Sequence, residues 1–244
     1  MKHKTALITG ASSGIGLATA RALSKAKHHV EGIARNFDSR NFDSRNFDAR
    51  NSDKSVFSDL TQHSIDLSDI DALPQALKAI KTTPDVLVLN AGYGQFGGIE
   101  QFSHAQIRQL IDTNLVSNLF LLKHFLPKMK QRGQGDIVLI GSESSVQGAR
   151  AGAVYCASKF AIRGLAQSLR ADCSTNDIRV ILVNPGPVET DFFDELNFAP
   201  QDGDDFVIPA DSIAHSICSA LEQPRSVVVD EINIQPIKRS FRKK

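Results

Sequence analysis

The chain has 244 residues, is 41% hydrophobic and 23% charged, and carries a formal net charge of +1 at pH 7. This length suits one large α/β domain or two small ones, and the near-zero charge excludes an overall field for nucleic acid or a membrane. The three cysteines include no CxxC and the seven histidines no HExxH, so we infer no disulfide framework and no metal site. The apolar runs are too short for a signal peptide or a membrane span, which favours a reduced, cytoplasmic, soluble protein.

Short β-branched runs alternate along the chain with longer segments of helical periodicity. In chain order we predict strand Thr5–Thr9, helix Ile15–Lys27, strands Val30–Ala34 and His63–Asp66, helix Ile70–Ile80, strand Asp85–Asn90, helix Gln106–Lys130, strand Asp136–Gly141, helix Val154–Asp172, strand Ile178–Asn184, helix Asp211–Leu221 and strand Ser226–Ile234. This alternation indicates right-handed βαβ crossovers and a parallel sheet with helices on both faces. Because no linker divides the pattern, we predict one domain over residues 1–244.

A glycine loop follows the first predicted strand directly, in the stretch "TGASSGIG". Gly10, Gly14 and Gly16 permit a tight turn and close approach of a pyrophosphate, and the next helix offers free N–H groups. Ser12 and Ser13 add hydroxyl donors. A loop between a strand and a helix is the context of a dinucleotide site, although this spacing differs from GxGxxG.

The end of the second predicted strand bears on cofactor preference. In dinucleotide folds an acidic residue about 20 positions on binds the ribose 2′-hydroxyl, and an arginine there accommodates a 2′-phosphate. Here that strand ends at Arg35 and no acid stands beside it. Arg35 therefore favours NADP over NAD; the alternative is a solvated arginine at a strand end.

Tyr155 and Lys159, in "YCASK", are the candidate acid–base pair because positions i and i+4 share a helix face. A tyrosine has an ordinary pKa of about 10, and we expect the nearby ammonium to lower it. Such a pair exchanges a proton with an alcohol or carbonyl oxygen. Ser142 closes the preceding predicted strand, at the sheet edge where α/β proteins bind ligands.

Together these motifs resemble the short-chain dehydrogenases/reductases, and the resemblance runs over nearly the whole chain. "TGASSGIG" is similar to the family's glycine loop, "NAG" to its central-sheet motif, Asn114 in "DTNLVSN" to its catalytic asparagine, and "NPGPVET" to the loop that contacts the nicotinamide. The resemblance implies a single-domain, Rossmann-like, doubly wound parallel sheet of about seven strands. It also implies an NADP(H)-dependent oxidoreductase that interconverts a secondary alcohol and a carbonyl compound.

The resemblance implies a role for each matching residue. Tyr155 is the general acid/base, Lys159 holds the nicotinamide ribose, Ser142 positions the substrate oxygen, and Asn114 supports a proton relay through a water held by its backbone. The cofactor-binding residues it implies are Gly10, Ser12, Ser13, Gly14, Ile15, Gly16, Arg35, Asn36, Asp66, Leu67, Asn90, Ala91, Gly92, Tyr155, Lys159, Pro185, Gly186, Val188 and Thr190. Family members are commonly homodimers or homotetramers, joined through the helices around Asn114 and Lys159, which is expected here too.

Four features depart from the family pattern or extend it. Lys27 stands where many relatives have the glycine that ends the first helix. The repeat "RNFDSRNFDSRNFDARN" indicates that residues 36–51 are a surface insert. The alternative is a lid that covers the adenosine phosphate and contacts it through Arg40 or Arg45. Residues 190–209 form a substrate lid or an amphipathic helix, and the basic segment 238–244 is interpreted as a frayed terminus.

An alternative to the enzyme is a catalytically silent NADP-binding sensor or scaffold of the same fold. Such proteins usually lose the tyrosine or the lysine, so the complete set of Asn114, Ser142, Tyr155 and Lys159 favours the enzyme. If residues 190–209 cover a substrate, their phenylalanines indicate that its body is apolar.

Overall fold

The structure is a computed structural model that describes residues 4–37 and 60–244. Its strands are β1 Thr5–Thr9, β2 His29–Ala34, β3 Thr61–Ser64, β4 Val86–Leu89, β5 Gly135–Ile140, β6 Ile178–Pro185, β7 Val188–Glu189, β8 Phe198–Pro200, β9 Ile208–Pro209, β10 Glu231–Ile234 and β11 Phe241–Lys243. Its α-helices are α1 Gly14–Lys25, α2 Leu73–Leu77, α3 His104–Ile111, α4 Ser117–Arg132, α5 Ala153–Cys173 and α6 Ala210–Glu222.

Seven parallel strands form the central sheet in the order β10-β6-β5-β4-β1-β2-β3. Successive side chains on each strand feed opposite layers of the core. Leu7 and Leu87 pack with Phe125 of α4 on one face, whereas Ile8 packs with Ile213 of α6 on the other. The predicted doubly wound α/β fold is confirmed, and its strand order reverses between β1 and β4, where such sheets bind ligands.

The element bounds differ from prediction where local chemistry intervenes. Helix α2 is only five residues long, with Pro74 in its first turn, and β10 begins at Glu231 rather than Ser226. The predicted helix Gln106–Lys130 is three segments, because a π-helical turn at Asp112–Val116 separates α3 from α4. Strand β1 has the predicted bounds.

The C-terminal segment also differs from its predicted frayed state. Strand β11 pairs antiparallel with β8, and Lys238 lies 2.6 Å from the Asp205 carboxylate. A basic tail meets an acidic segment here, and that charge complementarity is the physical reason for the order. Within residues 4–37 and 60–244, no helix has both the length and the apolar character needed to cross a membrane.

Lys27 adopts the left-handed conformation expected from the missing glycine, with φ of 66°. Its N–H donates to the Ser24 carbonyl at 2.8 Å, which ends α1. Because a glycine adopts this conformation without a Cβ penalty, Lys27→Gly is expected to raise the free energy of unfolding by about 0.5–1 kcal/mol. Denaturant unfolding measures this, and Lys25→Gly at the last residue of α1 should instead destabilise by up to about 1 kcal/mol. If Lys27→Gly and Lys25→Gly lower the free energy of unfolding equally, the left-handed conformation of Lys27 carries no strain that glycine relieves.

Candidate active site

The glycine loop (residues 10–16) joins β1 to α1 at the carboxyl edge of the sheet. Gly10 has φ of +66°, and its N–H donates to the Ile33 carbonyl of β2 at 2.8 Å. A Cβ on Gly16 would lie 2.1 Å from the Gly10 carbonyl oxygen, so a larger residue would open the turn. Asn90 fastens the loop from the β4 side, because its Nδ2 donates to the Thr9 carbonyl at 2.9 Å.

The amino terminus of α1 is arranged to receive an anion. Ser13 precedes α1 in an extended conformation. Its hydroxyl accepts no hydrogen bond from the first N–H groups of α1, whose residues the structure describes throughout. Gly14, Ile15 and Gly16 therefore begin the helix with backbone N–H groups that no side chain of residues 4–37 or 60–244 satisfies. These groups and the helix dipole favour a phosphate at this point, and Ser12 lies half-buried beside it.

Arg35 lies where β2 ends, exposed and followed by exposed Asn36. Asp66 lies two residues beyond β3, the neighbouring strand. Although partial burial opposes ionisation, hydrogen bonds from Ser68 and the charge of Arg35 lower the pKa of Asp66. The same guanidinium acts on Tyr93, whose pKa burial raises. Arg35 is thus close enough to both Asp66 and Tyr93 for its charge to act on them, and Leu67, which follows Asp66, is buried.

Asn114 lies in the π-helical turn and ties it to the segment after β4. Its side-chain amide accepts a hydrogen bond from the Tyr93 N–H at 3.0 Å and donates to the Tyr93 carbonyl at 2.9 Å. The same amide donates to the Ser158 hydroxyl at 3.2 Å. The Asn114 carbonyl, which was expected to hold a water, accepts a hydrogen bond from Asn118 Nδ2 at 2.9 Å.

Ser142, Tyr155 and Lys159 come together at the end of β5. The Ser142 hydroxyl lies near enough to Tyr155 to favour the lower pKa of its hydroxyl, and Lys159 Nζ lies 5.9 Å from the centre of the Tyr155 ring. Lys159 Nζ donates to the Ile140 carbonyl at 3.0 Å. A Cβ on Gly92 would lie 3.0 Å from Asn114 Oδ1 and 3.8 Å from Lys159 Nζ, so this "NAG" glycine leaves space beside both.

Burial dominates the protonation of the pair. It raises the pKa of Tyr155 to about 12, against the opposing Ser142 hydrogen bond and with added repulsion from Cys156 and Glu143. It lowers the pKa of Lys159 to about 8. Burial therefore raises the pKa of Tyr155 overall, and Lys159 is not among the groups that shift it, so the expected lowering by Lys159 stays a prediction. Tyr155 is a protonated hydroxyl at neutral pH.

The loop after β6 closes over the glycine loop. The Gly186 N–H donates to the Ile234 carbonyl of β10 at 2.8 Å, which holds Pro185 and Gly186 at the sheet edge. Val188, in β7, pairs with β9. The Thr190 methyl lies 2.9 Å from the position of a Cβ on Gly14. The segment "NPGPVET" thus contacts the helix start that faces a phosphate.

Aromatic side chains cover Tyr155 on its open side. The Phe96 ring centre lies 5.1 Å from that of Tyr155, and the Phe192 ring centre lies 5.9 Å from it. Phe198 meets Phe96 edge-on at 5.0 Å, and Phe241 of β11 meets Phe198 at 5.7 Å. The reacting end of the site therefore combines three polar groups with an apolar aromatic wall.

The lid segment (residues 190–209) is not the amphipathic helix that the sequence left open. It consists of short 3₁₀ turns, at Asp191–Phe193 and Asp204–Phe206, and the strands β8 and β9. The repeat residues Arg40 and Arg45 lie outside the described residues. Sequence reasoning missed three residues of this region: Ser158, which Asn114 contacts; Glu143, which directly follows Ser142; and Arg239, which lies 3.1 Å from Glu143. Only Glu143 could have been suspected, from its neighbour.

The comparisons with known proteins agree with this geometry. The model of the short chain dehydrogenase family matches residues 4–200. The chain is 34% identical to retinol dehydrogenase 8 of Homo sapiens, over 95% of this chain and 77% of that protein. It is 31% identical to human 17-beta-hydroxysteroid dehydrogenase type 1, over 83% of this chain and 62% of that protein.

A solved structure matches over almost its whole length. It is an alcohol dehydrogenase from the archaeon Thermococcus sibiricus, complexed with 5-hydroxy-NADP, with a TM-score of 0.82 at 27% identity over 98% of this chain and 99% of that one. The chain belongs to the short-chain dehydrogenase family. It is an oxidoreductase of the class that interconverts alcohols and carbonyl compounds with a nicotinamide dinucleotide.

Proposed function

We propose that the protein is an NADP(H)-dependent carbonyl reductase or secondary alcohol dehydrogenase, with Tyr155 as general acid/base. The observation that carries the proposal is the buried cluster at the end of β5. There the side chains of Ser142, Tyr155 and Lys159 are all buried, Ser142 acts on the pKa of Tyr155, and Lys159 Nζ lies 5.9 Å from the centre of the tyrosine ring. This cluster shares the carboxyl edge of the sheet with the glycine loop, so a dinucleotide on that loop would reach it.

The residues fit a nicotinamide dinucleotide. At Gly10, Gly16 and Gly92 a Cβ would lie 3.0 Å or less from other protein atoms, so these glycines allow the close packing of the loop that such a cofactor requires. The side chain of Ser13 leaves the N–H groups at the start of α1 uncapped. Ser12, Ser13 and Ile15 would hold the pyrophosphate, Asp66 and Leu67 the adenine. Asn90, Ala91, Pro185, Gly186, Val188 and Thr190 would line the nicotinamide half. Bound there, the cofactor supplies hydride to the carbonyl carbon.

The chain itself supplies the proton and holds the substrate oxygen. In the direction of reduction, Ser142 donates a hydrogen bond to the carbonyl oxygen, and Tyr155 gives that oxygen its hydroxyl proton. The Lys159 ammonium stabilises the negative charge left on Tyr155. Asn114 fixes the turn beside Lys159, and a water on its carbonyl would return a proton from solvent. The aromatic wall excludes other water from the reacting oxygen.

The protonation states predict the pH dependence of reduction. Tyr155 stays protonated below about pH 12, whereas Lys159 loses its charge as the pH rises through about 8. We therefore expect kcat/KM for reduction to be level up to about pH 7 and to fall above about pH 8, since this ratio reports the free enzyme. A pH–rate profile with a constant ketone measures this. A kcat/KM that rises between about pH 7 and about pH 8 would contradict the role proposed for the Lys159 ammonium.

Arg35 supports the choice of NADP, since it is exposed at the end of β2, where dinucleotide folds bind the adenosine ribose. Arg35→Ala is expected to raise the KM for NADPH by about 10–100-fold, the worth of one charge-assisted hydrogen bond, and to leave the KM for NADH unchanged. Steady-state kinetics measures the KM for NADPH and the KM for NADH in each variant. Arg108→Ala, an exposed arginine on α3, is the matched control. Equal changes for NADPH and NADH would refute a 2′-phosphate contact.

The substrate is proposed to have an apolar body. Phe96, Phe192 and Phe198 surround the reacting oxygen site. The relatives named retinol dehydrogenase 8 and 17-beta-hydroxysteroid dehydrogenase type 1 support the same chemistry. The lid segment, residues 190–209, is proposed to cover this substrate.

A homodimer or homotetramer through α4 and α5 is also proposed. Leu119 on α4 is 41% exposed and Phe160 on α5 is 44% exposed. Large apolar side chains on two neighbouring long helices favour contact with a second copy.

A further inference from the structure

A charged pair lies directly beside the catalytic serine. Glu143 follows Ser142 and begins the 3₁₀ turn Glu143–Ser145. Its Oε1 accepts a hydrogen bond from the Arg239 guanidinium at 3.1 Å. Its Oε2 is buried and has no hydrogen-bond partner within residues 4–37 and 60–244. The Glu143 side chain is 20% exposed and that of Arg239 is 54% exposed, and Arg239 is the cation paired with this carboxylate in the described part of the chain.

The C-terminal strap (residues 238–244) fixes Arg239 in this place. On one side of it, Lys238 lies 2.6 Å from the Asp205 carboxylate. On the other, the Ser240 carbonyl accepts the Gln201 N–H at 3.0 Å, and β11 then pairs with β8. Both neighbours of Arg239 are thus attached to the lid segment, and its backbone is held over the catalytic loop.

The charge of Glu143 reaches the reacting group. It is one of the groups that raise the pKa of Tyr155, after burial and alongside Cys156. When Tyr155 gives its proton to the substrate oxygen, it becomes negative, and a second negative charge nearby opposes that change. A neighbouring cation that cancels the carboxylate removes the opposition.

We propose that Arg239 is a positioning residue of the active site, which neutralises Glu143 and so allows Tyr155 to become anionic during proton transfer. This inference rests on the proposed function, since it assigns Arg239 a role through Tyr155. It also explains why a basic segment at the far end of the chain reaches the catalytic loop: the strap closes the lid and delivers the cation together.

A double-mutant cycle tests the proposal with an apolar ketone and NADPH. Arg239→Gln is expected to lower kcat by about 10-fold, the effect of one uncancelled charge at an effective dielectric constant near 20, with little change in KM. Glu143→Gln removes the need for a cation, so Arg239→Gln should have no effect on kcat in the Glu143→Gln protein. Arg239→Lys keeps the charge and should retain most of the rate.

The matched control is Arg242→Gln, which breaks an ion pair between the same strap and Asp202 and leaves Glu143 unchanged; its kcat should stay within about twofold of the wild-type value. If the strap only holds the lid segment in place, Arg239→Gln would lower kcat by the same factor in the wild-type protein and in the Glu143→Gln protein. That result would overturn the proposal.

Thermal unfolding gives a second readout that needs no turnover. It compares the four proteins of the cycle: the wild type, Arg239→Gln, Glu143→Gln and the double variant. Arg239→Gln should lower Tm in the wild-type chain and leave it unchanged in the Glu143→Gln chain, because only the first leaves a carboxylate unpaired. Equal Tm shifts in both would overturn the proposal. Coupled Tm values in a protein that reduces no carbonyl compound would instead count against the proposed function.

Discussion

Tyr155→Phe is expected to lower kcat for carbonyl reduction by a factor of about 10²–10⁴, the range that one positioned general acid supplies. The change removes one oxygen atom and keeps the ring that packs between Phe96 and Phe192, so the pocket keeps its shape. Because the pKa of Tyr155 is raised to about 12, the lost group is a proton donor at neutral pH. Steady-state kinetics under saturating NADPH measures the loss.

Cofactor binding is the control for this variant. Lys159 Nζ keeps its bond to the Ile140 carbonyl and does not depend on the tyrosine hydroxyl, so the Kd for NADPH should stay within about twofold of the wild-type value. If Tyr155→Phe binds NADPH normally and still reduces ketones at the wild-type rate, Tyr155 is not the general acid.

Asp136→Ala is expected to lower the free energy of unfolding by about 3–5 kcal/mol, the cost of leaving a buried cation unpaired. Asp136, in β5, lies 2.7 Å from the Arg179 guanidinium of β6, and each side chain is 3% exposed. Arg225 contacts the same carboxylate oxygen. Arg179 also donates to the Leu221 carbonyl at 2.8 Å, so the pair joins two strands to the end of α6. Denaturant unfolding measures the loss.

Asp230→Ala is the matched control, because Asp230 is 64% exposed in its pair with Arg170 and such pairs contribute at most about 1 kcal/mol. Asp136 lies at the amino end of the sheet, opposite the catalytic edge, so the folded Asp136→Ala protein should keep its kcat. Equal destabilisation by the two variants would contradict this view of the core.

Local chemistry made part of this structure predictable. The glycine loop needs Gly10 and Gly16 whatever else the chain contains, because the turn and the helix start approach too closely for a side chain. The i, i+4 spacing of Tyr155 and Lys159 places both on one face of α5. Lys27 takes the left-handed conformation because a helix must end before β2 begins.

Long-range contacts made the rest unpredictable. The strap and the lid segment carry opposite charges at distant positions of the sequence, and only the fold brings Arg239 to Glu143. The pKa of Tyr155 depends on how completely Phe96 and Phe192 exclude water, which a spacing rule does not describe. The π-helical turn depends on the Tyr93 backbone, which the Asn114 amide contacts from across the site.

The most direct test of the central claim is the rate of NADPH oxidation with a panel of apolar ketones and aldehydes, run in parallel with NADH and with measured binding of both cofactors. We predict turnover of at least one aromatic or other apolar carbonyl compound, at least about 10-fold faster with NADPH than with NADH at equal subsaturating concentration. Tight NADPH binding with no turnover of any compound would contradict the account and would favour a catalytically silent NADP-binding sensor or scaffold.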